Sequence, residues 1–233
     1  MSIFSNMSTE GMEQAKDSVG GYSPLESGVY EATIKTVYIT NSAKGAMAAN
    51  LIADIEGREY REQIWITNAK GENFFVNKQS GNKVPLPGFT ILNDICLAAL
   101  KKPLAQLDTE PKVFKLYDYE AKAELPKEVP TIVDLCDTKV ILGIIKQIVD
   151  KNVKDGNGNY VPSGEVREEN VIDKVFSAET KMTSNEVASG KTEPSFIAKW
   201  MEKNQGQTRN RAKGKAEGTA GAPQKPATKS LFG

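Results

Sequence analysis

The chain of 233 residues contains no histidine. That absence removes Ser-His-Asp and Cys-His nucleophile arrangements, histidine-ligated zinc, and the side chain most often used as a general acid or base near neutral pH. Cysteine is scarce as well. Cys96 and Cys136 stand far apart in apolar surroundings, which fits reduced, buried thiols rather than a disulfide framework. Two cysteines without a histidine cannot complete a structural zinc site. Long apolar runs are missing too: the best, Val140 to Val149, is broken by Gly143, Lys146 and Gln147 and falls short of the ~18 residues of a membrane span. No basic patch followed by an apolar stretch opens the chain, so a cytoplasmic protein is expected, with no membrane association.

Motifs for catalysis are equally absent. Neither G-x-x-x-x-G-K-[ST] nor G-x-G-x-x-G occurs. The stretch Asp155 to Asn159 (DGNGN) carries calcium-loop residue types but lacks the helix flanks and the closing glutamate, so it reads as a turn. Acidic pairs such as Glu168 with Glu169, or Asp118 with Glu120, sit among lysines and read as solvating charges. The expectation is a protein that is not an enzyme and holds no metal or cofactor.

What is present is a strand-rich body between two unusual ends. The formal net charge is zero, but from Lys199 onward eight cations face two anions, a net of +6 that leaves −6 for the rest. Residues 205–233 are rich in Gly, Ala, Pro, Thr, Gln and Lys without apolar periodicity, and are expected to be a disordered basic tail. Residues 1–20 are expected to be a flexible N-terminus, 21–190 a domain, and 191–204 a short helix. Within the domain, Gly28 to Ile39 reads as a long strand, and Met47 to Ile55 alternates between apolar and polar sides. A tight hairpin at Glu56-Gly57 then leads into Arg58 to Ile66. After a short piece, Glu72 to Val76, comes a helix from Thr90 to Leu100, capped by Thr90 and stopped by Pro103. Val113 to Tyr119 is a further strand. Lys139 to Lys151 and Tyr160 to Phe176 form the arms of an extended hairpin. Three strands, one helix and further strands is the order of an OB-fold. The fold class expected is therefore mainly β: an OB-fold-like five-stranded barrel with its helix between strands 3 and 4. An SH3-like barrel or an irregular α+β sheet also accommodates that order.

The strand faces suggest a function. In Arg58 to Ile66, Tyr60, Ile64 and Ile66 enter a core, leaving Arg61, Gln63 and Trp65 on the opposite face. In the first strand Tyr30, Ala32 and Ile34 face inward and Lys35 faces out. An indole beside cations is what unpaired bases need: the ring is a stacking platform worth roughly 1–3 kcal/mol per base, and the cations track phosphates. Lys70, Phe74, Phe75, Lys78 and Lys83 follow, with at least one of the two phenylalanines expected in a core. From Lys35 to Lys83 seven cations face five anions, a local excess of positive charge in an otherwise acidic body. Lys146, Lys151, Lys154, Tyr160 and Arg167 give the long hairpin a second cationic stretch, long enough for a flap.

Taken together, SPLESGVYEATIKTVYI, GREYREQIWITNAKGENFF, VPLPGF and the tail TRNRAKGKAEG ending KSLFG resemble bacteriophage single-stranded DNA-binding proteins of replication modules. The resemblance runs from about Gly20 to the last residue. It implies an OB-fold that coats unpaired DNA with little sequence preference in the cytoplasm of an infected bacterium. It also implies contacts with a phage polymerase, primase or helicase. In several families of this function an acidic tail ends in an aromatic residue. Here the apolar tip, Leu231 and Phe232, is present as a partner-docking element, but the tail is basic and cannot mimic DNA. The alternative is a non-enzymatic interaction or scaffold protein built on a barrel. A magnesium-dependent nuclease would require convergent carboxylates.

Overall fold

The computed structural model describes residues 23–118, 121–156 and 160–213. The expected flexible N-terminus, residues 157–159 of the hairpin turn and the docking tip Leu231–Phe232 lie outside them. Strands dominate. β1 (Gly28–Asn41), β2 (Met47–Ile55) and β3 (Arg58–Trp65) form an antiparallel meander. The β2–β3 turn places Glu56 and Gly57 at φ 54° and 79°, the left-handed pair that a two-residue hairpin requires. A separate two-stranded sheet, β4 (Phe74–Val76) with β5 (Lys83–Pro85), precedes α1 (Pro87–Leu100). Then come the hairpin β6 (Glu110–Asp118) and β7 (Ala123–Thr131), the long hairpin β8 (Lys139–Lys154) and β9 (Tyr160–Ser177), α2 (Ser184–Ala188), α3 (Phe196–Asn204) and β10 (Thr208–Asn210).

The alternation of β2 is as expected: Ala49, Leu51, Ala53 and Ile55 are buried. They pack with Ile34, Val37, Tyr60 and Ile64, with Leu142, Ile144 and Ile172 of the long hairpin, and with Leu92, Ile95 and Cys96 of α1. Burial pushes the Cys96 thiol up to about 12, so it is an inert core group. Cys136 is half-buried and also free. α1 begins three residues before the expected cap, with Pro87 in its first turn. Thr90 donates its hydroxyl to the Leu86 carbonyl and caps nothing. Gly88 lies directly against the end of β3, where a Cβ would overlap the Trp65 carbonyl oxygen.

β1 is shared. Its first half pairs with β8, and at Tyr38 its second half pairs with β7. The change of partner falls beside a bulge between Ile34 and Thr36, which reverses the in–out parity of the strand: Ala32 and Ile34 are buried before it, Val37 after it. Thr36, Tyr38 and Thr40 therefore share the outward face with Asn50 of β2 and with Arg61, Gln63 and Trp65 of β3.

The expected barrel is corrected. The small β4–β5 sheet lies between the third strand and the helix, and β6–β7 is added after it. The main sheet runs β3–β2–β1–β8 with β9 beyond, and does not close into a barrel. At the seam, the backbone N–H of Ile172 on β9 donates at 2.9 Å to the side chain of Glu62 on β3, a carboxylate contact that spans the gap. Among the described residues no helix is long and apolar enough to cross a membrane.

The chain beyond Gln205, expected to be disordered from that point, continues in order to Lys213. β10 runs parallel to β8, Arg209 reaches Asp173 at 3.3 Å, and Asp173 also accepts from the indole N–H of Trp200 at 2.8 Å. Trp200 packs on Gly143, where a Cβ would stand 3.1 Å from the ring.

Candidate functional site

β6 and β7 project over the outward face of the meander and are tied to it by stacking of Tyr38 on Phe114, with centroids 4.9 Å apart at 24°. Between face and hairpin lies a groove of ≈ 1050 Å³. Its floor is Thr40, Asn50, Gln63 and Trp65, and its far wall includes Leu116, Tyr117, Lys127 and Val129. Trp65 is 45% exposed, so the indole stands out of the core as the strand parity requires, and Tyr117 is exposed as well. Lys127 is bound to Asp118 at 2.8 Å and Glu128 lies close by, so the groove has little net charge of its own.

Two further depressions adjoin it. One of ≈ 510 Å³ shares Gln63 with the groove and is lined by Arg61 and Arg167. The next, of ≈ 410 Å³, shares Arg167 and is lined by Lys151, Asn152 and Val153. The three succeed one another from Trp65, past the β3–β9 seam, to the long hairpin, each sharing one lining residue with the next. Each of these cations has a carboxylate neighbour: Arg61 with Glu59 at 2.7 Å, Arg167 with Glu169 at 2.9 Å and Lys151 with Glu165 at 2.8 Å. Such exposed pairs are worth about 0–1 kcal/mol each, little enough for a phosphate to compete for the cation. Farther out, Tyr160 is 70% exposed, with Lys154 Nζ 5.6 Å from its ring centroid.

Other expected site residues lie elsewhere. Lys35 falls at the bulge, pairs with Asp137 at 3.8 Å and does not line the groove. Lys146 is only 14% exposed and is clamped by Glu26 at 3.1 Å and Glu168 at 3.2 Å, so it holds the fold together and has no free charge to offer. Lys70, Phe74, Phe75 and Lys78 belong to the loop and the small β4–β5 sheet, away from the groove lining. Neither phenylalanine is buried: Phe75 is exposed, and Phe74 is half-buried beneath Lys83 Nζ, 4.3 Å from the ring centroid. Tyr38, Phe114 and Tyr117 were not expected at the site. Strand parity hid the first, and the projecting hairpin supplies the other two.

Glu62 is a half-buried carboxyl at the seam. It shares the inward parity of Tyr60 and Ile64, accepts from the Tyr60 hydroxyl and from Ile172 N–H, and is pushed up to about 7 by burial, with Glu169 adding to the rise. Among the described residues, no group of three or more His, Cys, Asp or Glu side chains is placed to hold a metal ion. No protein-family model matches the chain, and no curated protein matches it in sequence.

Proposed function

We propose that the protein binds single-stranded DNA and coats unpaired strands, with little sequence preference, during bacteriophage replication or recombination. The observation that carries this reading is the succession of adjoining depressions, which begins at an outward indole and passes two arginines and a lysine. Rings at one end stack bases, and cations farther along meet phosphates. The core supports an OB-fold opened along one seam, since β1–β2–β3, α1 and then β8–β9 follow that order, with β6–β7 inserted after the helix. A phage polymerase, primase or helicase is the partner class the reading assigns to the C-terminal tail. The test is titration with a dT oligomer at two salt concentrations, followed by Trp65 fluorescence. Quenching and a steep loss of affinity with salt are expected. Absence of quenching with intact protein would overturn the reading.

A second reading, an interaction module that touches no nucleic acid, is favoured by the carboxylate beside each of those cations. A gel shift with single-stranded DNA, duplex DNA and RNA separates the two, because the module shifts none of them.

A further inference from the structure

The floor of the groove contains an amide that is locked in one orientation. Asn50 lies between Tyr38 on β1 and Gln63 on β3 in one cross-strand row. Its Nδ2 donates to Thr40 Oγ1 at 2.8 Å and to the Tyr38 carbonyl at 3.3 Å. A carbonyl oxygen only accepts, so the Asn50 amide cannot be turned over without losing that bond. Its Oδ1 therefore faces Gln63, whose Nε2 donates to it at 3.2 Å. Gln63 is fixed in turn: one N–H is engaged, while Oε1 and the second N–H have no partner among the described residues. Gln63 and Trp65 are two residues apart on one strand, on the same face and about 7 Å apart along it.

We propose, resting on the single-strand reading above, that Gln63, oriented by Asn50, binds the Watson–Crick edge of an unpaired base stacked near Trp65. An acceptor beside a donor complements a donor beside an acceptor, and all four bases carry such a pair on that edge. Adenine offers N6–H and N1, cytosine N4–H and N3, thymine N3–H and O4, and guanine N1–H and O6. In a duplex the edge is already occupied. Gln63 thus selects unpaired strands over duplex while tolerating every base, which separates strand selection from phosphate attraction.

The test uses the full chain and two oligonucleotides of equal length, one of thymidine and one of N3-methylthymidine, which keeps a stacking ring but has no N3–H. Fluorescence anisotropy is expected to show the methylated oligomer binding about tenfold more weakly to the wild type. Gln63→Ala and Asn50→Ala should bind the two oligomers equally, with circular dichroism confirming their fold. Trp65→Ala should weaken both by a common factor and keep the ratio. Equal, tight binding of both oligomers by the wild type would overturn the inference, as would survival of the tenfold ratio in Gln63→Ala. Binding of neither oligomer would overturn the single-strand reading and this inference together, a result easily told from the others.

Discussion

Replacing Glu62 by glutamine should remove most of the pH dependence of stability between pH 5 and 8. The carboxyl is held at about 7 in the folded chain against an ordinary 4.5, chiefly by burial. Below pH 4.5 both folded and unfolded chains carry the proton. Between 4.5 and 7 the unfolded chain releases it while the folded chain keeps it, so stability falls as pH rises, and above 7 the loss is complete. The full displacement corresponds to about 3 kcal/mol. Glu62 sits at an open seam where water reaches it, which reduces the expected loss to about 1–2 kcal/mol. The chain has no histidine, so the usual titrating side chain of this window does not contribute. Asp94 is also raised by burial and adds a slope of the same sign, but it is unchanged in Glu62→Gln, and the difference between the two proteins isolates Glu62. Glutamine keeps an acceptor for the Tyr60 hydroxyl and Ile172 N–H. Urea denaturation at pH 5 and pH 8 should show the wild type losing stability at the higher pH and Glu62→Gln holding it. A wild type equally stable at both values, or a Glu62→Gln chain less stable than wild type at pH 8, would refute the reasoning.

Other expectations concern binding and packing. Trp65→Ala should weaken oligonucleotide binding by about 1–3 kcal/mol, measured by anisotropy, and Trp65→Phe should abolish fluorescence quenching, because buried Trp200 reports only on folding. Arg61→Ala and Arg167→Ala should each lower the slope of log affinity against log salt by about 0.7, the share of one phosphate contact on a single strand. Lys146→Ala should leave affinity and salt slope unchanged while lowering the denaturation midpoint, since that ammonium is already enclosed by Glu26 and Glu168. Gly88→Ala should destabilise by about 1 kcal/mol or more, because its methyl group would overlap the Trp65 backbone at the end of β3.

The sequence was readable where local pattern and structure coincide. Alternation in Met47–Ile55 and Arg58–Ile66 reports a half-buried meander, and the two long β-branched arms around Asp155-Gly156 report the outer hairpin. β7 was hidden by Pro126 and Pro130, residues that argue against a strand. They are accommodated because β7 meets β1 only at Thr131 and is otherwise paired on one side. Tyr38 escaped because parity counted from Ala32 fails at the bulge, and a bulge leaves no compositional trace. Glu62 stood at an inward position, but a lone carboxylate in that register reads as an interruption until its acceptor role toward Ile172, 110 residues away, is seen. Lys146 and Arg167 looked equivalent as cations on one hairpin. What separates them is that Glu26, far off in the chain, folds over only one of them. β10 likewise depends on distant partners, β8 and Asp173, and not on its own polar sequence.

Because Tyr38 of β1 is both paired with Thr131 of β7 and stacked on Phe114 of β6, one residue of the floor fastens the overhanging hairpin by backbone and by ring, and a change at that residue acts on both walls of the groove at once.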